Sequence, residues 1–314
     1  VTLAHLISRP GQGIFLGGLI IIKEVSIDFS LIIAQIMTGL VLGGILALVA
    51  SGFVLVFGML DIINFAHGIF FALGSYFAYT VLSLIGNFWV ALIIVPFAVG
   101  IVGFVTERLI LRPLSGRAST YSLLATFGFT LAAIQAIRLI WGKAGLPFTT
   151  PDSLVGATDL GFVIFPTYRL FVLLVTGGII ISLWLFIEKT SLGSIIRAGT
   201  SDSLMAQALG INIARVRSLV FALGCSLAGI AGVLAAPMQG VYAEMGLTII
   251  IECFVIVVVA GLGSIVGAVI SALMIGTTVS MATLIYSPMA NVVIFFLMIV
   301  VLLIRPAGLF GTKT

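Results

Sequence analysis

The chain has 314 residues, of which 61% are hydrophobic and 8% charged; a water-soluble domain carries roughly a quarter charged residues, so water is excluded as the main solvent. The net charge of +4 does not describe a nucleic-acid-binding surface, because the Lys and Arg residues are few and scattered instead of forming a phosphate-tracking stripe. What remains is an integral membrane protein, an all-α polytopic transmembrane helical bundle: a hydrocarbon core about 30 Å thick needs about 20 apolar residues per helix, and such runs recur with no long polar block between them.

Residues 1–28 contain the apolar stretch GIFLGGLIII at 13–22, followed by Lys23 and Glu24 where a signal peptide would have a small-residue cleavage site. At about 1.5 Å per residue it is too short to span. An N-terminal interfacial or partly inserted extension is expected there, ahead of a single transmembrane domain over 29–311. Full spans are expected at 31–57, 69–85, 88–111, 121–141, 168–188, 216–235, 265–285 and 289–304. A shorter apolar segment, 247–260, makes only about 21 Å of helix and falls short of the hydrocarbon thickness.

Basic residues orient the bundle, because short cytoplasmic connections retain Lys and Arg. Arg108, Arg112 and Arg117 follow the third span; Lys189, Arg197, Arg215 and Arg217 surround the link after the fifth; Arg305 and Lys313 follow the last. These regions are expected in the cytoplasm. The connection 142–167, with Asp152, Asp159 and three prolines, is expected outside. Parity then requires 247–260 to cross and leaves Arg9 and Lys23 on the less favoured side.

Two connections on the expected cytoplasmic side contain neither Lys nor Arg: GMLDIINFAHG from Gly58 and GLGSIVG from Gly261. Irregular backbone drawn into a membrane survives only where protein or a watery cavity satisfies its amides. Gly-interrupted segments at corresponding places in two halves point to a transport path. Asp61, Asn64, Phe65, His67 and Gly68 from the first stretch, and Gly261, Gly263, Ser264 and Gly267 from the second, are therefore candidates for a path or gate. The competing reading of the first is a wet surface turn in which Asn64 and His67 cap the next helix; no third residue at suitable spacing completes a metal site. Glu252, inside LTIIIECFVIVVV, is either a cavity-lining acid or an acid paired with a partner chain or reaching toward the headgroups. Glu244 reads as a loop acid, and Cys225 and Cys253 as packed small hydrophobes.

The longest polar passage on the expected cytoplasmic side is 191–217, SLGSIIRAGTSDSLMAQALGINIARVR. Thr200 or Ser201 can cap a short helix, Asp202 suits its positive end, and Gly210 can close it in left-handed geometry. Leu204 and Met205 stand four residues before Ala208 and Leu209, which gives the helix an apolar face. It is either an interfacial tether or a knob for a soluble partner. No GxxxxGK, HExxH or GxSxG signature is present, so energy from ATP would have to come through another polypeptide. A passive channel with half-helices meeting at mid-membrane is the rival from another class; an intramembrane enzyme on Asp61 and His67 lacks a second convergent acid.

Four stretches, 39–79, ERLILRPLSGR at 107–117, RAGTSDSLMAQALGINIARVRSLVFALGCSLAGIAGVL at 197–234 and GLGSIVGAVISAL at 261–273, resemble, in this order, the permease subunits of branched-chain amino-acid-type ABC importers (LivH-like permeases). The resemblance covers about residues 29–311. It implies a bacterial inner-membrane subunit that pairs with a second permease (a paralogue or another copy) and stands on two cytoplasmic ATPases that hold ATP and Mg. Solute would arrive from a periplasmic binding protein. It also implies that Gly199–Ala214 is the segment inserted into the ATPase, with Asp202, Ala206, Gly210 and Asn212 at matching positions. Arg197, Thr200, Leu204, Met205 and Leu209 complete the candidate coupling set. Ala260 departs from the double glycine that usually opens the last motif, and Glu252 is not a fixed feature of the family.

Overall fold

A computed structural model describes residues 29–311 except Asp61, Ile63 and Leu262, and of Asn291 only the backbone. The expected interfacial extension 1–28 and the candidate Asp61 lie outside the described residues. The helices are α1 (Phe29–Leu60), α2 (His67–Ile85), α3 (Phe88–Thr106), α4 (Ser119–Trp141), α5 (Thr167–Lys189), α6 (Ser191–Ser201), α7 (Ser203–Ala208), α8 (Ile213–Gln239), α9 (Met245–Ala260), α10 (Ile265–Ile285) and α11 (Met289–Ile304). The connection after α4 contains a small antiparallel hairpin, β1 (Ala157–Asp159) with β2 (Ile164–Pro166).

Local chemistry sets the boundaries. Gly86 ends α2 at φ +72°, and the side chain of Asn87 then accepts from the amides of Trp89 and Val90 to begin α3. Beyond α3 the chain continues through a π turn, Glu107–Leu111, and a 3-10 turn, Arg112–Leu114. Seven helices (α1, α2, α3 with its extension, α4, α5, α8 and α10) are long and apolar enough to cross a membrane. The expectation of eight full spans is corrected at one place. The segment 289–304 does form a helix, but α11, like α9, has 16 residues, about 24 Å, and joins α9 in the short class.

The centre of the bundle is α1, buried almost continuously from Gly43 to Val56 and packed on α5, α8 and α10. Lipid supplies no hydrophobic force between helices, so close backbone approach at small residues has to do that job. A Cβ on Gly52 would stand 2.6 Å from the Gly224 carbonyl oxygen, and one on Gly224 would stand 2.7 Å from that of Gly52. Hydrogen bonds reinforce the contacts: Ser75 donates to the Gly232 carbonyl at 2.8 Å and Tyr168 to that of Leu234 at 2.9 Å. Ile93, Phe97 and Ile101 on α3, Leu124 and Leu139 on α4, and Phe296 and Leu303 on α11 point outward, as a lipid solvent requires.

Contacts sort the connections into two ends. Arg217 at the base of α8 bonds Ser115 after α3, and Gly199 of α6 lies against Met59 of α1; this is the basic end. At the other, Leu146 exchanges backbone hydrogen bonds with Val241, and Arg138 pairs with Glu244. The helix α9 ends at the basic end, where the amides of Leu309 and Phe310 donate to the Val259 and Ala260 carbonyls at 2.8 and 2.9 Å.

Candidate functional site

The connection between α1 and α2 turns back into the bundle. His67 Nε2 lies 3.1 Å from the Val49 carbonyl oxygen, and Val49 is 11 residues before the end of α1, about 16 Å along the helix. The first turn of α2 therefore starts well inside the protein. Asn64 and His67 are buried, so the wet-turn reading is set aside for them. Half of that reading holds: Asn64 Oδ1 accepts from the Ala66 amide at 3.0 Å and its carbonyl from the His67 amide at 3.1 Å, which shapes the turn into α2. His67 does not cap; its ring meets Phe53 edge-on at 5.6 Å. Facing a carbonyl, Nε2 carries the ring hydrogen. Asn64 Nδ2 and His67 Nδ1 are buried with no hydrogen-bond partner among the described residues, as is Ser51 Oγ on α1, and each buried polar atom left so carries a cost.

Gly68 brings this turn against α9. A Cβ there would overlap the Gly246 carbonyl oxygen and stand 2.9 Å from Ile250 Cβ. The first turns of two helices thus touch inside the bundle. Neither has an acidic residue in its first turn or a side-chain cap, although Glu244 occupies the N-cap position of α9, so each turns the positive end of its helix dipole toward the contact. Phe65 packs edge-on against Phe127 of α4 at 6.2 Å. Further along α9, Glu252 is partly exposed on the side that also shows Thr248, Ile251 and Phe254. No ion pair or hydrogen bond joins Glu252 to Asn64 or His67.

The second glycine stretch lies elsewhere, at the basic end. Gly261 and Gly263 adopt φ +91° and +92°, where only glycine is relaxed, and Ser264 Oγ accepts from the Gly267 amide at 2.9 Å to begin α10. The C-terminal segment seals this turn: Gly308 and Gly311 pack on Gly261, and Phe310 packs on Gly267. Gly263 and Ser264 line a cavity of about 410 Å³ together with Arg197, Thr200 and Ser201.

The segment after α5 is capped at each joint. Thr190 accepts from the Gly193 amide at 3.0 Å, Asp202 from the amides of Leu204 and Met205 at 3.0 and 2.9 Å, and Asn212 from that of Arg215 at 3.1 Å. Gly210 closes α7 at φ +85°. Asp202 is the cap of α7 itself, a correction to the expectation for Thr200 or Ser201; the Thr200 hydroxyl bonds back to the Arg197 carbonyl at 2.9 Å within α6. Ala206 is the buried anchor of α7, whereas Leu204, Met205 and Leu209 are 78%, 59% and 75% exposed. Arg197 is not on that face: it donates to the Ile187 carbonyl and stands 3.6 Å from Glu188.

Three features had no signal in the sequence. Glu107, in the π turn, is buried and accepts from the Ser218 hydroxyl in α8, which joins the turn after α3 to the helix that follows α7. Glu244, expected as a plain loop acid, is bonded to Arg138, whose guanidinium holds its carboxyl below the usual range. The Val49 carbonyl that receives His67 is distant in sequence.

The family described as branched-chain amino acid transport system / permease component matches residues 35–302. The high-affinity branched-chain amino acid transport system permease protein BraD of Pseudomonas aeruginosa is 32% identical over 291 residues, covering 88% of this chain and 95% of that one. LivH of Escherichia coli K12, which bears the same description, is 30% identical over 299 residues, with 90% and 97% covered. Among solved structures, PsaBC from Streptococcus pneumoniae in complex with Fab is similar over 89% of this chain and 93% of its own, at 14% identity and a TM-score of 0.46.

Proposed function

The chain belongs to the branched-chain amino acid transport permease family, and we infer that it is a membrane half-gate of an ATP-driven importer for branched-chain or similar hydrophobic amino acids. Its basic end then faces the cytoplasm of a bacterial inner membrane. The inferred assembly contains a second permease subunit, paralogous or identical, two ATPases that bind ATP and Mg, and a periplasmic binding protein that delivers solute.

One observation carries the coupling role: α7 and the residue that caps its C-terminus project three exposed apolar side chains, Leu204, Met205 and Leu209, from the basic end on a single buried anchor, Ala206. An apolar knob in water needs a cover, and a cleft in an ATPase supplies one. The caps at Asp202 and Asn212 and the turn at Gly210 make the knob stiff, so a push on it reaches α6 and the base of α8. Through Ser218 and Glu107 the base of α8 is linked to the end of α3, and through Gly52 and Gly224 to the central α1. The meeting of α2 and α9 at Gly68 is the proposed passage: two helix N-termini favour an anionic group such as a solute carboxylate, and the unpartnered atoms of Asn64 and His67 stand beside it.

The test is purification of the chain with its co-expressed neighbours. Recovery of an ATPase pair whose hydrolysis rises with the loaded binding protein supports the reading. Loss of that stimulation in Asp202→Lys, with the complex intact, assigns the coupling to α7; an unchanged response refutes it.

A further inference from the structure

The cavity at the basic end lies between the C-terminal ends of α1 and α5, the helix α6 and the start of α10. Its volume, about 410 Å³, falls in the range of roughly 300–1,000 Å³ usual for small-molecule sites. The lining is divided by chemistry. Val54, Leu55, Ile196 and Trp184 make an apolar wall, and Glu188 and Arg197 bring one acid and one base to the same rim, 3.6 Å apart. Arg197 is held in place by the Ile187 carbonyl and, at 3.4 Å, the Ser194 hydroxyl. The two charged side chains are 46% and 42% exposed, so their pairing contributes under about 1 kcal/mol and separates readily. A ligand with an ammonium and a carboxylate on one carbon, and an apolar side chain, would exchange that one weak pair for two.

We propose that this cavity binds a free hydrophobic amino acid from the cytoplasmic side and that its occupation brakes the transporter. The proposal rests on the reading of the chain as an amino-acid importer permease. The braking follows from which elements form the walls. Arg197, Thr200 and Ser201 belong to the segment that leads to α7, Gly263 and Ser264 to the glycine turn before α10, and Gly58 to the last turn of α1. A molecule wedged among the three holds them at one spacing and opposes any motion of α6 against α10. Accumulated product would then slow its own import. A phosphatidylethanolamine headgroup offers the same pair of charges and is the other source of this chemistry.

The experiment uses the whole complex in vesicles of phosphatidylcholine and phosphatidylglycerol, with the leucine-loaded binding protein sealed inside and the ATPases facing out. L-Leucine added outside at millimolar concentration should lower the stimulated hydrolysis several-fold. Glu188→Gln should raise the inhibitory concentration about tenfold, the loss of one charge-assisted contact. Val266→Phe, which fills the mouth of the cavity, should abolish inhibition, and both variants should keep the uninhibited rate. Inhibition absent in the wild type, or unchanged in both variants, overturns the proposal. So does a phosphatidylethanolamine molecule retained through purification by the wild type and shed by Val266→Phe, with leucine inert. Stimulation by the loaded binding protein without any effect of outside leucine refutes the brake alone; absence of stimulation refutes the importer reading and the brake with it.

Discussion

Gly68→Ala tests the contact between α2 and α9 directly. The added Cβ would overlap the Gly246 carbonyl oxygen, and it would stand 2.9 Å from Ile250 Cβ and 3.0 Å from the Gly246 carbonyl carbon. Two of these three atoms are backbone in the first turn of α9, so no side-chain rotation relieves the clash and one helix has to move. Overpacking of this kind costs about 1–3 kcal/mol, and about 2 kcal/mol changes an equilibrium constant roughly 30-fold. If solute passes where these turns meet, the cost falls on whichever state holds them closest and uptake drops by about tenfold or more. Gly74→Ala is the control, because its Cβ meets the Gly229 backbone of α8 just as tightly without touching α9. Melting in detergent and ATP-driven uptake into vesicles are the measurements. Both variants should melt a few degrees earlier, and Gly68→Ala should lose far more uptake. A Gly68→Ala protein that melts and transports like the wild type, or a Gly74→Ala protein with an equal transport defect, would refute the reasoning.

Three further outcomes follow from other parts of the bundle. The Glu244 carboxyl is held below its ordinary value of 4.5 by the hydrogen bond from Arg138, so the stability it supplies is present above that value and lost as pH falls through the lower folded one. With partners 46% and 33% exposed the amount is under about 1 kcal/mol; Glu244→Gln should flatten the fall in melting temperature below pH 4.5, and an identical pH profile in the variant would count against the pair. Truncation after Ala307 strips the Val259 and Ala260 carbonyls of their donors, at about 1–3 kcal/mol for each one left buried, and should lower the melting temperature; a truncated chain that melts like the full one would deny the tail its sealing role. The double substitution Leu204→Asp and Leu209→Asp should leave the permease folded, since both side chains are exposed, while ATPase subunits no longer copurify; retention of the ATPases would show that α7 is not the knob.

Elements that answer to the bilayer were legible in the sequence. Apolar runs of spanning length became helices because no other backbone satisfies its hydrogen bonds in hydrocarbon. The short apolar segment 247–260 proved to be a helix, α9, of 16 residues, below spanning length, and the Arg-bearing links share one end. The short helix after Asp202 and its closure at Gly210 were also visible, since such signals act within a few residues, although the cap fell on Asp202 and not on Thr200 or Ser201. Features made by distant pairs were not. Nothing in NFAHG announces that His67 will meet the carbonyl of Val49, that Gly68 will face Gly246, or that Glu107 will find Ser218. A glycine in an apolar run reads the same whether it faces lipid or another glycine, so Gly52 and Gly224 became partners only once the helices were placed. The C-terminal seal on Gly261 was hidden for the same reason.

The central claim, that this chain is a gate driven from its cytoplasmic end, is tested most directly by radiolabelled leucine flux through the reconstituted complex with and without ATP. The account predicts uptake that requires both ATP and the binding protein, and no flux through the permease pair alone. Sustained leucine flux down its gradient through the purified permease, with no ATPase bound, would contradict it.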